Sequence, residues 1–333
     1  MIPPWARLRL PGRLHPRDVL CPPPAGERGG LVRQVPVVES LAGVEEELEQ
    51  QVEGHQRREG LSEGIRGATM VRVTHGENVS RGEPTGKVRP TVVFIHGAGI
   101  SSWMWRQPIA ALAEFQGLAV ELPGHGASTA PWSSVPDAAA AVAKIIRSRV
   151  TGGKAHVVGL SLGGVVALQL LAEHPDTVDR MLVSGTLATG LPRAGFLAGL
   201  TALTLPLGKF GPLVRLSARM LAIPKEDYQS LMADVGRLEA EPLRRMILDV
   251  ANFRPPAVLG GRPHQVLVVA GSKEHPRVRQ SVTALAALMP NGRGVLVPGG
   301  IHTWNWQFPD QFNALVLAWF RDGAITDFVT KST

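Results

Sequence analysis

From residue 91 onward the chain alternates between short, almost wholly apolar runs and longer stretches with helical spacing. Residues 91–95, 118–122, 155–160, 178–185, 264–271 and 294–297 are each four to eight residues long and lack the polar alternation of a half-exposed strand. That is the pattern of strands buried on both faces. Between them, residues 101–115 space Trp105, Ile109, Leu112 and Phe115 as a helix does, and 135–150 is Ala-rich with Ile145 and Ile146. Residues 165–174 form an apolar helical run stopped by Pro175, and 278–289 and 304–321 complete the series. Strands alternating with helices predict the α/β class, with a mostly parallel central sheet covered by helices on both faces.

Two stretches break the alternation. From residue 186 to 263 the strand signal stops. Leucines and methionines at helical spacing, interrupted by glycine and proline, predict a helical insertion. The surplus of apolar positions there favours a cap roofing a pocket over mere extra core. The core is thus expected in two pieces, 70–185 and 264–323, with 324–333 a tail. Residues 1–69 read as a disordered extension: 1–35 are rich in Pro, Arg and Gly, a short acidic helix is expected near 44–52, and the first strand-like run begins only at Met70.

Composition narrows the classes. The 333 residues are 44% hydrophobic, enough for one large core. The net charge of +7 comes from scattered arginines, not from a basic run interleaved with aromatics, so nucleic acid is not the expected partner. Cys21 is the single cysteine, which excludes a disulfide framework or a Cys/His zinc site and fits a reducing, cytoplasmic setting. No apolar run of about 18 residues is uninterrupted, so no membrane-spanning segment is expected, and residues 1–7 lack the apolar region of a signal peptide.

The candidate chemistry centres on Gly159-Leu160-Ser161-Leu162-Gly163, a G-x-S-x-G turn between a predicted strand and a predicted helix. Such a turn lifts a serine hydroxyl clear of the sheet at a helix N-terminus, where free N–H groups favour negative charge. Two further groups fall just past predicted strand ends, Glu274 and His302. Open α/β sheets place their sites there. A serine hydroxyl is a weak nucleophile that needs a base within reach, and the base needs an acid to fix its tautomer.

These motifs resemble the α/β-hydrolase superfamily in its serine-nucleophile branch, over roughly residues 70–321. The resemblance rests on His96-Gly97-Ala98-Gly99, Leu122-Pro123-Gly124-His125-Gly126, the Gly159–Gly163 turn, Gly271-Ser272-Lys273-Glu274 and Pro298-Gly299-Gly300-Ile301-His302, in that order. It implies Ser161 as nucleophile, His302 as general base and then acid, and Glu274 as the orienting acid, although aspartate is usual there. Asp249 is the fallback acid. It also implies an oxyanion hole from the amides of Ala98 and Leu162. His96 and His125 then brace loops, and Glu121 anchors one. Trp103 or Trp105, and Trp304 or Trp306, line an acyl or alcohol pocket or else pack in the core. No cofactor and no metal is implied. The expected substrate is a small or medium hydrophobic carboxylic ester. C–C bond, thioester and lactone hydrolysis, or ligand binding without catalysis on the same fold, remain as alternatives.

Overall fold

The computed structural model describes residues 71–72, 89–327 and 330–331. The expected extension at 1–69, with its acidic helix, lies outside the described residues. Eight described strands form one sheet. They are β1 (Val71–Arg72), β2 (Thr91–Ile95), β3 (Gln116–Val120), β4 (Ala155–Leu160), β5 (Val178–Ser184), β6 (Gln265–Gly271), β7 (Asn291–Val297) and β8 (Thr330–Lys331). Their order is β1-β3-β2-β4-β5-β6-β7-β8, and the six inner strands from β3 to β7 are parallel.

The strand residues explain the two covered faces. Val93 and Ile95 pack into one apolar cluster and Val92 and Phe94 into the other, so consecutive side chains serve opposite cores. The first face carries α2 (Val135–Arg149), α3 (Leu162–Glu173) and α8 (Pro276–Leu288). The second carries α1 (Arg106–Ala111) and α10 (Pro309–Asp322), with the short α9 (Trp304–Gln307) leading into α10. Ser134 starts α2 by accepting the Asp137 N–H at 3.2 Å, and Gly323 (φ +71°) ends α10.

Some boundaries differ from expectation. In place of one helix over 101–115 there is a 3₁₀ turn at Ser102–Trp105 followed by α1, because the chain must turn back into β3 beside Ile109. Strand β3 covers 116–120, not 118–122. The Leu122 N–H is taken by the His96 ring instead of the ladder. Helix α3 begins at Leu162, immediately after the serine, not at 165.

Between β5 and β6 the described residues contain only helices: α4 (Ala194–Gly208), α5 (Gly211–Met220), α6 (Tyr228–Arg237) and α7 (Ala240–Asn252), plus short 3₁₀ turns. Side chains tie this insertion to the rest. The Trp103 indole donates to Asp234, the Trp132 indole to Asp249 at 2.9 Å, Arg106 to Asp227 at 2.8 Å, and the Thr303 hydroxyl to the Leu221 carbonyl at 2.6 Å. Among the described residues no single helix is long and apolar enough to cross a membrane.

The topology creates one crevice. From β2 the chain runs outward to β3. It then returns to β4 on the other side of β2 and continues away through β5, β6 and β7. The loops after β2 and β4 therefore diverge at neighbouring strand ends, which is where open α/β sheets bind ligands. At that point α3 is pressed onto the sheet. A Cβ on Gly163 would lie 2.2 Å from the Ile95 carbonyl oxygen, and one on Gly159 would lie 2.4 Å from the Gly163 oxygen. Both obstacles are backbone, which cannot swing aside. Gly163→Ala is therefore expected to destabilise the fold by about 1–3 kcal/mol. Exposed Gly236 in α6 has open space around its would-be Cβ, so Gly236→Ala should stabilise by about 0.5–1 kcal/mol. Urea unfolding midpoints of the two variants check both signs.

Candidate active site

Ser161 closes β4 and opens α3 with φ +57° and ψ −114°, a conformation non-glycine residues rarely hold. Such a backbone costs on the order of 1–3 kcal/mol and persists only where its surroundings impose it. Here they do so from three sides. The Ser161 N–H donates to the Ser184 carbonyl at the end of β5 at 2.8 Å. Its carbonyl accepts from Gly164 and Val165 as the first turn of α3. Gly97, from the loop after β2, lies against its side chain, so that even a Cβ on Gly97 would be 3.6 Å from the Ser161 Cβ.

The same β5 corner seats the imidazole. Gly185 has φ +63°, and a Cβ there would come within 2.7 Å of the His302 ring and 3.3 Å of Glu274. Only glycine leaves that space open. His302 Nδ1 lies 2.6 Å from Glu274 Oε2. A carboxylate can only accept, so Nδ1 carries a proton, which in the neutral imidazole leaves the Nε2 lone pair free. Glu274 is 8% exposed and is fixed from behind, its Oε1 accepting the Gly271 N–H at 2.9 Å. The extra methylene of glutamate is taken up by this fold-back within the Gly271–Glu274 turn. Asp249, the fallback acid, is engaged with Trp132 in the insertion and does not pair with His302. Among the described residues the Ser161 hydroxyl makes no hydrogen bond. The Ser161 backbone and the imidazole share the Ser184–Gly185 corner.

The loop after β2 brings Ala98 alongside. The amides of Ala98 and Leu162 have no acceptor among the described residues. For Leu162 this follows from its place as the first residue of α3. The loop is braced from below. His96 is fully buried, its Nδ1 donating to the Gly97 carbonyl at 2.8 Å and its Nε2 accepting the Leu122 N–H at 3.1 Å. His125 packs edge-on to it at 4.8 Å and donates from Nδ1 to the Pro123 carbonyl at 3.0 Å. Glu121 accepts both the Ser102 hydroxyl, at 2.5 Å, and its N–H. These three residues hold loops, as expected of them.

Burial sets their charges. It holds His96 well below the ordinary histidine value of 6.5 and His125 down at about 4. It pushes Glu121 up to about 7, against the lowering effect of its Ser102 bonds and with some help from nearby Asp234. Among the described residues no group of three or more His, Cys, Asp or Glu is placed to hold a metal ion.

The tryptophans divide differently from expectation. Trp105 and Trp304 have no exposed surface and are core. Trp105 stacks on Phe312, and the Trp304 indole donates to the Ser184 hydroxyl at 2.8 Å. Trp103 is buried too, stacked on Trp306 at 5.6 Å and bonded to Asp234. None of the three lines the cavity of about 260 Å³ beside the loop after β2. Its apolar walls are Ile100, Trp132, Leu238, Leu243 and Met246, and Asp234 and Arg237 contribute polar atoms. The sequence pattern points to the insertion as a pocket roof but does not say which of its residues form the wall. Most of these side chains lie in the insertion, where helical spacing shows which positions are apolar but not which helix faces the crevice.

A model of the Alpha/beta hydrolase family matches residues 92–315. An AB hydrolase superfamily protein of Gibberella zeae is 28% identical over 248 residues, spanning 71% of this chain and 82% of that protein. The pimeloyl-[acyl-carrier protein] methyl ester esterase of Nitrosomonas europaea is 32% identical over 224 residues, spanning 66% of this chain and 82% of that one. Among solved structures, the enol-lactonase of Burkholderia xenovorans superposes with a TM-score of 0.62 at 21% identity, over 76% of this chain and 96% of its own.

The buried charges make a pH prediction. Between about 4.5 and 7 the folded protein keeps a proton on Glu121 that the unfolded chain has released, so this residue's contribution to stability falls as pH rises through that window. His96 and His125 act oppositely. The unfolded chain takes up their protons first, so stability falls as pH drops below 6.5. Glu121→Gln mimics the protonated carboxyl and removes only the first contribution. Relative to wild type it should gain about 1–3 kcal/mol between pH 4.5 and 7.5, measured as the difference between urea-unfolding free energies. Parallel pH profiles for the two proteins would refute a protonated Glu121.

Proposed function

The chain belongs to the Alpha/beta hydrolase family, and on that premise we propose that it is a serine hydrolase cleaving a small or medium hydrophobic carboxylic ester through an acyl-enzyme. The observation that carries this reading is the 2.6 Å contact of His302 with buried Glu274, seated on the corner that also accepts the Ser161 N–H.

Each group then has a role. The Ser161 hydroxyl turns toward His302, an alignment that free enzymes often complete only when substrate binds. Its oxygen attacks the ester carbonyl carbon while His302 Nε2 takes the proton, and Glu274 stabilises the imidazolium. The carbonyl oxygen becomes an oxyanion facing the amides of Ala98 and Leu162, at the positive end of α3. His302 returns the proton to the departing alkoxide, releasing the alcohol. Water, activated by the same imidazole, then hydrolyses the acyl-enzyme.

The insertion over 186–263 acts as a cap. Helix α7 supplies Leu243 and Met246, and the residue after α6 supplies Leu238, to the cavity beside Gly99 and Ile100. Neither Ser161 nor His302 lines that cavity, so on this reading an aliphatic chain enters it past Gly99, next to Ala98. A cavity of about 260 Å³ suits a short or medium chain better than a long one. Ester chemistry is favoured by the N. europaea relative, a methyl ester esterase by name.

Ser161→Ala should abolish both p-nitrophenyl ester hydrolysis and labelling by a fluorophosphonate probe. Glu274→Gln should lower kcat by about 10³–10⁴-fold at nearly unchanged KM, because the amide favours the wrong tautomer of His302. A wild-type protein that folds but takes no label would overturn the reading, and near-normal turnover by Glu274→Gln would remove Glu274 from it. Across an acyl series, turnover should peak at short to medium chains.

A further inference from the structure

The exposed apolar side chains of this protein are concentrated in one place. Nine of the ten large hydrophobics exposed among the described residues fall within residues 196–220, on α4, α5 and the bend between them. On α4, Phe196, Leu200, Leu203 and Leu207 recur at i, i+4, i+7 and i+11 and so form one stripe. They are strongly exposed, Phe196 at 68%, Leu203 at 78% and Leu207 at 67%. The opposite stripe, Ala194, Ala198 and Leu205, is the buried one. Beyond the bend, Phe210, Leu213, Leu216 and Met220 continue the patch, while Val214 and Ala218 face inward.

Two further observations say what covers this patch. The polar groups of α4 are turned inward on the helix itself. The Thr201 and Thr204 hydroxyls donate to the carbonyls of Leu197 and Leu200, each at 2.9 Å, so they offer no unmet donor to an apolar medium. Within this stretch of chain the charge is all of one sign. No Asp or Glu occurs between Arg180 and Lys225, whereas Arg193, Lys209, Arg215, Arg219 and Lys225 frame the patch. None of these five is in an ion pair among the described residues. Five like charges around one face oppose its pairing with a second copy of the same face and favour an anionic partner.

We propose that the exposed faces of α4 and α5 dock onto an anionic lipid bilayer, lying in its interface without crossing it. The two helices meet at a bend of 120°, and α4 has 15 residues, too short to span the roughly 30 Å hydrocarbon core. An apolar face flanked by basic residues is the form of a helix that lies in the interface. The proposal goes beyond ester hydrolysis and does not depend on it. If both hold, the cap draws its substrates from, or beside, a membrane surface.

The test uses the full-length Ser161→Ala protein, so that no lipid can be turned over. Flotation is measured with vesicles of phosphatidylglycerol and phosphatidylcholine, and with phosphatidylcholine alone. The protein is expected to float with the anionic vesicles and at least tenfold less with the neutral ones, and 0.5 M salt should weaken binding. Adding Leu203→Glu and Leu207→Glu should reduce binding at least tenfold. Arg215→Gln and Arg219→Gln should each reduce it about fivefold. All four positions are exposed, so thermal midpoints should stay within a few degrees, which separates lost docking from lost fold. The proposal is overturned if the Ser161→Ala protein fails to bind anionic vesicles, or if the leucine variant binds as well as its parent. A dimer in sedimentation velocity that the leucine changes dissociate, without flotation, would reassign the patch to self-association. None of these readouts depends on whether Ser161 is a nucleophile.

Discussion

The structure depends on how closely α3 approaches the ends of β2 and β4. Gly163 touches the Ile95 carbonyl and Gly159 touches Gly163, with no room for a Cβ at either contact. That approach forces the single residue between strand and helix, Ser161, into a positive φ. Without it the serine would sit in a relaxed loop at a less defined position. With it, the hydroxyl stands at the helix N-terminus, beside the loop after β2 and the corner after β5. The strain is localised at one residue, and the packing of two apolar cores offsets it.

The surrounding loops are held by buried polar groups that fold best uncharged. His96, bonded to Gly97 within the loop after β2, links that loop to the segment after β3 by accepting the Leu122 N–H, and His125 and Glu121 extend that brace toward Ser102. Burial lowers both histidines and raises the carboxyl, so near pH 6 the brace is close to neutral throughout. This limits the desolvation cost of a polar network beneath a site whose proposed chemistry develops negative charge above it.

The insertion has two unlike halves. Helices α6 and α7 turn Asp234, Leu243 and Met246 toward the sheet domain, bonding Trp103 and walling the cavity. Helices α4 and α5 seat only narrow stripes and leave their leucines in solvent. On the proposed reading, the insertion would carry selectivity on one half and attachment on the other. The net positive charge of the chain, which by itself names no partner, takes on a location once the arginines around α4 and α5 are placed beside an apolar face.

Much of this was readable in the residues alone. Continuous burial in runs such as 91–95 and 155–160 gives a two-sided parallel sheet, because such a run has no solvent face to offer. G-x-S-x-G between such a run and a helix, with Glu274 and His302 just past later strands, named three residues whose neighbourhood the fold then joined. Ala98, whose amide has no acceptor among the described residues, came with the glycines around it. Tertiary structure decided what chain order cannot encode. It decided that Glu274 folds back through Gly271 to reach His302 despite its extra methylene, that Asp249 is spent on Trp132, and that Trp105 and Trp304 are core while Trp132 lines the cavity. It also decided which leucines of the insertion face inward. The physical reason is the same in each case. Local pattern fixes which side chains must leave water, but which neighbours they meet depends on contacts between distant segments, such as Glu274 with His302, 28 residues apart, and Trp103 with Asp234, 131 apart.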